Sequence, residues 1–355
     1  MKTEIIKVHP DLPDNNNKIV YCANVIRHGG LVIFPTETVY GIAADYSNKE
    51  AVNKLYEVKK RSHEKPFSVL ISQKELISNY TRSTSSSLYK LINEFWPGPL
   101  TVVVRSREEG KTIGIRMPDN IVALSLVREA RCTLAAPSAN LEDCPPPSTC
   151  EEALKDLDGL VDVALDGGPS RIGQGSTVLD LTQENMNILR EGSITKLQIE
   201  NVLKRKTIIF ICTGNSCRSV MADYLMKDMV KDRSDVDVYS AGTGVFLHST
   251  ASQETISVLR EKGIDASSHM SMPLDSSLLR QADLIFVMTR GHRAQVLERV
   301  PEVETKVYLL KEFYDDGNGL QSNLDIPDPM GGSHDMYKEC LDVIEACVRK
   351  VSKLI

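Results

Sequence analysis

Cys212 and Arg218 lie at the two ends of a short loop between an apolar stretch and a helical pattern. A thiolate is the reactive form of cysteine, and the N-terminus of a helix favours that form. Backbone N–H groups in such a loop can hold a phosphate, and an arginine can bind two phosphoryl oxygens at once. A Cys-x5-Arg pair is weak evidence by itself, but between a strand and a helix it predicts phosphoryl transfer through a cysteine.

Asp328 is the candidate for the acid that such a reaction needs at the leaving group. It begins the segment Asp-Pro-Met-Gly, which is predicted as a loop ahead of the last helix. An isolated Asp-Pro is more often a turn or a helix cap. Together with the Cys212 loop, we favour the catalytic interpretation.

A second candidate site lies in the first half, where cations occur in segments rich in glycine and proline. Such cations neutralise phosphates and carboxylates in ligand sites. An equal alternative is that they are only solvated surface charges. These cations are Lys59, Arg61, Arg116 and Arg190. Nearby hydroxyl and amide side chains could bind a polar ligand or simply form turns: Thr36, Thr38, Ser138, Asn140, Ser176 and Thr177. Without a Walker or G-x-G-x-x-G motif, the residues alone predict only an anion site.

The elements that must position these residues form two sets, which we assign to domains 1–204 and 205–355. The first set alternates short strands with a helix, and a short basic helix at 196–206 ends it. Its strands are predicted at 31–34, 68–71 and 100–105, and its helix at 51–60. The second set alternates regularly, which predicts an α/β domain with a doubly wound parallel sheet. Its strands are predicted at 207–211, 237–240, 284–288 and 306–310, and its helices at 219–230, 251–262, 291–298 and 337–354.

Composition limits the classes of protein. The 355 residues are 41% hydrophobic and 25% charged, which is typical of two globular domains and excludes disorder and coiled coils. The net charge is −6, so we expect no strong direct binding to nucleic acid. Eight cysteines without a C-x-x-C pair argue against a disulfide scaffold or a zinc site. No secretory leader or membrane-length apolar run is evident, so we expect a cytoplasmic protein.

The second half resembles the low-molecular-weight protein phosphatases over residues 206–355. The resemblance rests on the segments CTGNSCRSVMADYL, SAGT, ADLIFVMT and DPMGG. It implies that Cys212 is the nucleophile, that Arg218 stabilises the transition state and that Asp328 acts as acid and then base. It further implies a phosphate-binding loop and a hydrogen bond from Ser219 to the thiolate, without a metal or cofactor. The loop comprises Thr213, Gly214, Asn215, Ser216, Cys217 and Ser219, and the resemblance implies that Asn215 shapes it.

Two properties of this loop stay open. Cys217 fits either a reversible disulfide with Cys212, as in many members of the family, or a small packing residue. Ser216 stands where tyrosine-directed members usually carry a bulky aliphatic residue, and arginine-directed members resemble this chain more closely. The segments VMTRGHRAQV and DIPDPMGGSHDMYK favour the arginine-directed branch as well. We predict a protein-arginine phosphatase; the alternative is a phosphotyrosine phosphatase with an N-terminal regulatory module that binds nucleotide or RNA.

The first half resembles the YrdC-type threonylcarbamoyl-AMP synthases over residues 15–200. The motifs occur in the family's order: PTETVYGIAAD, KKR, KPFSVLI, FWPGPLTVVV, GIRMP, APSAN, DGGPSRIGQGSTVLDL and ILREGSIT. That family joins L-threonine, bicarbonate and ATP, which Mg²⁺ should accompany, into threonylcarbamoyl-adenylate for modification of tRNA adenosine 37. The resemblance implies a twisted mixed sheet with helices, and downstream tRNA-modifying proteins as partners.

The same resemblance implies ligand contacts residue by residue. Threonine would be contacted by Thr36, Arg116, Ser138 and Ser176. ATP or the carbamate would be contacted by Lys59, Arg61, Thr112, Asn140, Ser148 and Arg190. The chain departs from the longer members in two ways. GQGSTV lacks their charged residue before the Ser-Thr pair, and the phosphatase-like segment replaces their C-terminal domain. We therefore expect a bifunctional fusion of two enzymes.

Overall fold

The computed structural model describes residues 2–9, 15–183, 186–314 and 323–355. The chain divides into two compact units, which are described separately below. The first contains Met1–Ser83 and Leu91–Glu200, and the second contains Thr84–Lys90 and Asn201–Ile355. Among the described residues, no helix combines the length and the apolar character that a membrane crossing requires.

The first unit contains a mixed sheet. Its strands, within the described residues, are β1 (Glu4–Lys7), β2 (Val32–Phe34), β3 (Gly41–Asp45), β4 (Val69–Leu70), β5 (Leu100–Arg105), β6 (Thr112–Arg116), β7 (Leu134–Ala135), β8 (Val163–Asp166), β9 (Thr177–Asp180) and β10 (Asn187–Arg190). They lie in the order β1-β8-β2-β3-β7-β4-β6-β5-β9-β10 and pair in both parallel and antiparallel fashion. The helices up to the end of this part of the chain are α1 (Asn15–Arg27), α2 (Lys49–Lys59), α3 (Ser86–Phe95), α4 (Ile121–Ala130), α5 (Cys150–Leu157) and α6 (Lys196–Lys204), with a 3-10 helix at Lys74–Asn79. This mixed sheet with helices confirms the fold expected from the resemblance.

Helix α2 leads to the first cations of the candidate site, and both of its ends are defined by local chemistry. The Asn48 side chain accepts hydrogen bonds from the N–H groups of Glu50 and Ala51, which begins the helix. Lys60 adopts a left-handed conformation at φ 51°, which ends it. Lys59 is therefore the last helical residue, and Arg61 lies in the loop that follows.

The second unit is a doubly wound parallel domain. Its strands are β11 (Lys206–Cys212), β12 (Val236–Gly242), β13 (Leu284–Val287) and β14 (Val307–Leu309), in the order β12-β11-β13-β14. Its helices are α7 (Arg218–Met229), α8 (Gln253–Glu261), α9 (Ser276–Gln281), α10 (Arg290–Arg299) and α11 (His334–Ser352), with 3-10 turns at Pro301–Lys306 and Leu310–Phe313. All pairs among the strands that the structure describes here are parallel, which confirms the predicted architecture, and the predicted elements lie within three residues of those observed.

Strand β11 explains where the cysteine lies. Its side chains alternate between two apolar cores: Ile208, Phe210 and Cys212 face one, and Ile209 and Ile211 face the other. β11 lies between β12 and β13 in the sheet. The chain runs from β11 to β12 on one side and then crosses back to β13 on the other side, so the strand order reverses at β11. The crevice beyond the carboxyl end of such a strand is where doubly wound domains bind ligands.

Candidate functional sites

The first unit contains a cavity of about 500 Å³. Its walls include many of the polar residues that the sequence pointed to. Of the predicted threonine and ATP contacts, the cavity is lined by Thr36, Arg61, Thr112, Arg116, Ser138, Ser176 and Arg190. These seven residues come from distant parts of the chain, so the fold itself brings them together.

Arg116 is held in the cavity wall by a buried ion pair that the sequence analysis did not identify. Its Nη2 lies 2.7 Å from Oε1 of Glu37, and its Nε donates to the Gly98 carbonyl at 3.2 Å. Glu37 is almost fully buried, and its Oε2 has no hydrogen-bond partner within the described part of the chain. Glu37 stands between two predicted threonines in PTETVYG, but only the fold shows that it contacts an arginine 79 positions away.

Arg190 and Ser176 form a second group in the wall. Arg190 donates from Nε to the Ser176 carbonyl at 3.1 Å and from Nη2 to the Ser176 hydroxyl at 3.2 Å. Loss of solvent, followed by the charges of Arg116 and Arg61, lowers the pKa of Arg190. The guanidinium groups of Arg116 and Arg61 thus lie close enough to disfavour the charge of Arg190, and an anionic ligand would relieve that repulsion.

The loop that carries Arg61 also orients its side chain. Its Nε donates to the Lys65 carbonyl at 3.0 Å, and its guanidinium carbon lies 5.3 Å from the centre of the Phe67 ring. Thr36 is oriented similarly, because its hydroxyl donates to the Val39 carbonyl at 2.6 Å. Both side chains are therefore fixed before any ligand arrives.

Three predicted ATP contacts do not line the cavity. Lys59 is 2% exposed, and its ammonium donates to the carbonyls of Ser138 and Asn140, both at 2.6 Å. Burial, followed by the charge of Arg61, lowers its pKa to about 8. Lys59 therefore secures the loop that carries Ser138.

Asn140 and Ser148 are also engaged with their own neighbours. The Asn140 amide donates to the carbonyls of Leu141 and Cys144 at 2.8 and 2.7 Å, and its Oδ1 is buried without a partner among the described residues. The Ser148 hydroxyl donates to Glu152 at 2.9 Å. Their predicted contacts with ATP stay predictions.

The second candidate site begins at the carboxyl end of β11. The sulfur of Cys212 lies 2.9 Å from the Ser219 hydroxyl, and that hydroxyl also accepts from the Asn215 amide at 3.0 Å. Asn215 adopts φ 50°, and its Oδ1 accepts from the Met272 N–H at 2.7 Å. Asn215 is therefore connected to Ser219, and Ser219 to the cysteine.

The carbonyl oxygens of this loop accept hydrogen bonds from donors outside it. The donors are Thr243 N–H to the Cys212 oxygen (2.9 Å), Gly244 N–H to Thr213 (2.9 Å), His269 Nε2 to Asn215 (2.9 Å) and Ser252 N–H to Ser216 (3.0 Å). A trans peptide points its N–H opposite its C=O. The N–H groups of residues 213, 214, 216 and 217 therefore point away from these outer donors, as a phosphate-binding loop requires.

Arg218 and Asp328 lie together at this loop. Arg218 is 4% exposed, donates to the Ile326 carbonyl at 3.0 Å and forms an ion pair with Asp328. The Asp328 side chain is 45% exposed, so it reaches the buried guanidinium from the solvent side. The structure thus brings the predicted nucleophile loop, arginine and acid into one site.

Cys217 and Thr213 have contacts of their own. Cys217 is buried, with its sulfur 3.5 Å from the Ser252 hydroxyl and 3.7 Å from that of Tyr337, and all eight cysteines of the chain are free. The Thr213 hydroxyl lies 2.9 Å from Nε2 of His292, which belongs to the segment VMTRGHRAQV but was not predicted as a site residue, because a lone histidine in a helical pattern does not reveal its partner. No group of three or more potential metal ligands is found in the part of the chain that the structure describes.

Two family models match separate parts of the chain, and the change between the two compact units after Glu200 lies between the two matches. Residues 24–192 match the family model Sua5_yciO_yrdC, described as "Telomere recombination". Residues 207–355 match the model described as "Low molecular weight phosphotyrosine protein phosphatase".

Relatives of the first half are synthases by name. The chain is 39% identical over 214 residues to the threonylcarbamoyl-AMP synthase of Bacillus subtilis, covering 57% of the chain and 62% of that protein. It is 36% identical over 201 residues to a putative threonylcarbamoyl-AMP synthase of Mycobacterium tuberculosis, covering 54% of the chain and 92% of that protein. The chain spans about three fifths of the length of the Bacillus subtilis synthase and of a similar one from Pyrococcus abyssi.

A solved structure and a second relative complete the comparison. The structure of Pyrococcus abyssi Sua5 complexed with L-threonine matches with a TM-score of 0.54 and 24% identity, over 86% of this chain and 99% of that one, which indicates a shared fold. The second half is 37% identical over 147 residues to a protein-arginine-phosphatase of Bacillus subtilis, covering 41% of the chain and 94% of that protein.

Proposed function

We infer two enzyme activities for this chain, which belongs to the Sua5/YciO/YrdC family through its first part and to the low-molecular-weight phosphatase family through its second. The first part makes threonylcarbamoyl-AMP from L-threonine, bicarbonate and ATP. The second part hydrolyses a phosphorylated protein through a cysteinyl-phosphate. The boundary between the two activities lies near residue 205, where the parallel domain begins.

The convergence of seven predicted ligand residues on one cationic cavity supports the synthase activity. Arg116, held by Glu37, binds the threonine carboxylate, and the hydroxyls of Thr36, Ser138 and Ser176 hydrogen-bond the rest of the amino acid. Arg61, Arg190 and Thr112 bind the phosphates of ATP, and Mg²⁺ arrives with those phosphates.

The reaction in this cavity is a displacement at the α-phosphorus. A carbamate oxygen attacks, the bond to the β-phosphate oxygen breaks, and pyrophosphate leaves. Guanidinium groups that are already in place stabilise the negative charge of the transition state without reorganising. Lys59 and Asn140 act on this chemistry by fixing the loop that carries Ser138. The product passes to tRNA-modifying proteins.

Pyrophosphate release tests this activity. Purified chain with ATP, Mg²⁺, bicarbonate and L-threonine should release pyrophosphate, and the same mixture without threonine should not. The Arg116→Met variant should lose most of the threonine-dependent rate, whereas Arg128→Met, on helix α4, serves as a control for the loss of one arginine. Equal release with and without threonine would refute the synthase.

The arrangement of Cys212 beside Ser219, with Arg218 and Asp328 at the mouth of the loop, supports the phosphatase activity. The thiolate attacks phosphorus while the loop N–H groups and Arg218 bind the phosphoryl oxygens. Asp328 protonates the leaving group and then takes a proton from the water that hydrolyses the cysteinyl-phosphate. A bound phosphate competes with Asp328 for Arg218, which frees the carboxyl group to face the leaving group.

Phosphoarginine is the substrate we propose for this site. The support is the similarity to a protein-arginine-phosphatase and the small hydroxyl residue Ser216 in the loop. A hydroxyl can hydrogen-bond a guanidinium leaving group or the attacking water, which an aliphatic side chain cannot do.

Matched phosphoarginine and phosphotyrosine peptides test this preference. We expect the wild type to have the higher kcat/KM on phosphoarginine, and Ser216→Ile to shift the ratio at least tenfold towards phosphotyrosine. Ser216→Thr keeps the hydroxyl and is the matched control. A wild type that prefers phosphotyrosine, or a ratio that Ser216→Ile leaves unchanged, would contradict the proposal.

A further inference from the structure

His292 is a buried histidine with no role in the chemistry described so far. It lies in the first turn of α10, is 5% exposed and uses both ring nitrogens. Nδ1 lies 2.9 Å from the hydroxyl of Thr289, and Nε2 lies 2.9 Å from the hydroxyl of Thr213. The ring therefore connects the start of a helix to the residue that follows the cysteine nucleophile.

The helix end of this connection is rigid. Thr289 is the N-cap of α10, and its hydroxyl oxygen also accepts from the His292 N–H at 3.3 Å. A capping side chain of this kind has a fixed orientation because the helix backbone defines it. The ring is thus anchored to the backbone before it reaches Thr213.

The loop end of the connection is the first residue of the phosphate-binding loop. The backbone oxygen of Thr213 is held by the Gly244 N–H at 2.9 Å, and its side chain is held by His292. With both attachments, the peptide N–H groups at residues 213 and 214 cannot turn independently of the scaffold. Loss of the second attachment would leave the side chain free to change rotamer next to Cys212.

The ring also suits this position electrostatically. Burial, followed by the charge of Arg218, lowers the pKa of His292 to about 4, against the opposing influence of Asp328 and Asp325. At neutral pH the ring is uncharged and has one donor and one acceptor, which matches the two hydroxyls that it faces. It therefore fixes the loop without adding a cation that would compete for the phosphate.

We propose that His292 is a positioning residue for the phosphatase reaction: through Thr213 it fixes the first peptides of the phosphate-binding loop beside Cys212. This inference rests on the proposed phosphatase function. It differs from that function in its consequences, since a chain whose His292 is unimportant would still be a phosphatase.

A double-mutant cycle tests the connection. Thr213→Val removes the hydroxyl at nearly constant shape, and His292→Asn keeps an amide near the position of Nδ1 but has no atom near Nε2. Each should lower kcat on an aryl phosphate about tenfold and raise the inhibition constant of inorganic phosphate, whereas the double variant should lose no more than either single variant. Thr213→Ser and His292→Gln, which restore a polar atom at the contact, should each keep at least a third of the wild-type kcat.

Melting temperatures of all variants distinguish loop positioning from a general loss of folding. Independent, multiplicative losses in the double variant, or wild-type kcat in both Thr213→Val and His292→Asn, would overturn the inference. If the His292 variants do not fold, equal activity of Thr213→Val and Thr213→Ser overturns it by itself, and a tenfold difference supports it. Absence of phosphatase activity in the wild type would instead refute the proposed function.

Discussion

Replacement of Lys59 tests the proposed synthase domain in two ways. Burial of its charge predicts how stability depends on pH, and its contacts with the loop predict a loss of activity. The Lys59→Met substitution keeps most of the side-chain length but removes the ammonium that donates to Ser138 and Asn140. A pKa of about 8 in place of the ordinary 10.5 means that the folded environment, burial first and then the charge of Arg61, disfavours this charge by about 3 kcal/mol, at about 1.4 kcal/mol per pH unit. That cost is present whenever the folded chain keeps the proton.

The sign of the pH dependence follows from proton binding. Below pH 8 both the folded and the unfolded chain hold the proton, so the cost is constant. Between pH 8 and 10.5 the unfolded chain still binds it while the folded chain has released it, and stability rises where the unfolded state binds more protons. The wild type should therefore gain about 3 kcal/mol relative to Lys59→Met from pH 7.5 to 10.5. Lys306, whose pKa burial also lowers to about 8, is present in both proteins and cancels.

The single tryptophan makes the assay specific. Trp96 is buried in the first unit, so its fluorescence during urea unfolding reports that unit within the full chain. Lys49→Met, an exposed lysine at the start of the same helix, is the control for removing one charge. A wild-type-minus-Lys59→Met difference that stays constant within about 0.5 kcal/mol over this range would refute the argument from burial.

Synthase activity provides a second readout for the same Lys59→Met variant. Lys59→Met leaves the part-buried Ser138 carbonyl and the buried Asn140 carbonyl without their donor, at about 1–3 kcal/mol for the buried one, and releases the loop that places Ser138 in the cavity wall. We expect at least a tenfold loss of threonine-dependent pyrophosphate release at pH 7.5. A variant that keeps the wild-type rate would show that the loop needs no such attachment.

Three further predictions concern other parts of the molecule. Asp328→Asn should slow hydrolysis of phenyl phosphate far more than of p-nitrophenyl phosphate, because only the poorer leaving group needs a proton; equal slowing would contradict the acid role. Glu37→Gln should raise the KM for threonine about tenfold with a smaller change in kcat, since the ion pair that fixes the orientation of Arg116 is lost, and an unchanged KM would exclude this role. Phe210→Ala should lower the free energy of unfolding by about 3–5 kcal/mol in urea titrations, because the ring is fully buried and stacks on Phe286 at 5.5 Å.

The parallel domain could be predicted from sequence because its signals agree at every level. Ile208 to Ile211 form a continuous apolar run, which is typical of a strand covered on both faces, and the structure buries all four completely. The helix that follows begins at Arg218, within one residue of the prediction. Here the local sequence pattern and the burial in the folded domain indicate the same elements, so tertiary contacts do not alter the prediction.

The mixed sheet of the first unit was harder to predict. Strands β4 and β7 are only two residues long, and such short runs have no detectable periodicity. Their pairing is non-local, with β4 beside both β6 and β7. The fold could be anticipated from the ordered motifs, whereas the strand order could not be derived from hydrophobic pattern.

In the cavity site, the sequence predicts the chemical type of the side chains but not the direction in which each one points. The sequence identifies Lys59 and Arg61 as cations of one motif, and both could bind phosphate on chemical grounds. The end of helix α2 between them sends the two side chains to different places: Arg61 lines the cavity, and Lys59 is directed into two backbone carbonyls. A motif thus indicates which charges are present, but the left-handed residue Lys60 decides where each one acts. We therefore predict that loss of either charge lowers the synthase rate by a separate route: loss of Arg61 would weaken the proposed phosphate binding directly, and loss of Lys59 would displace Ser138.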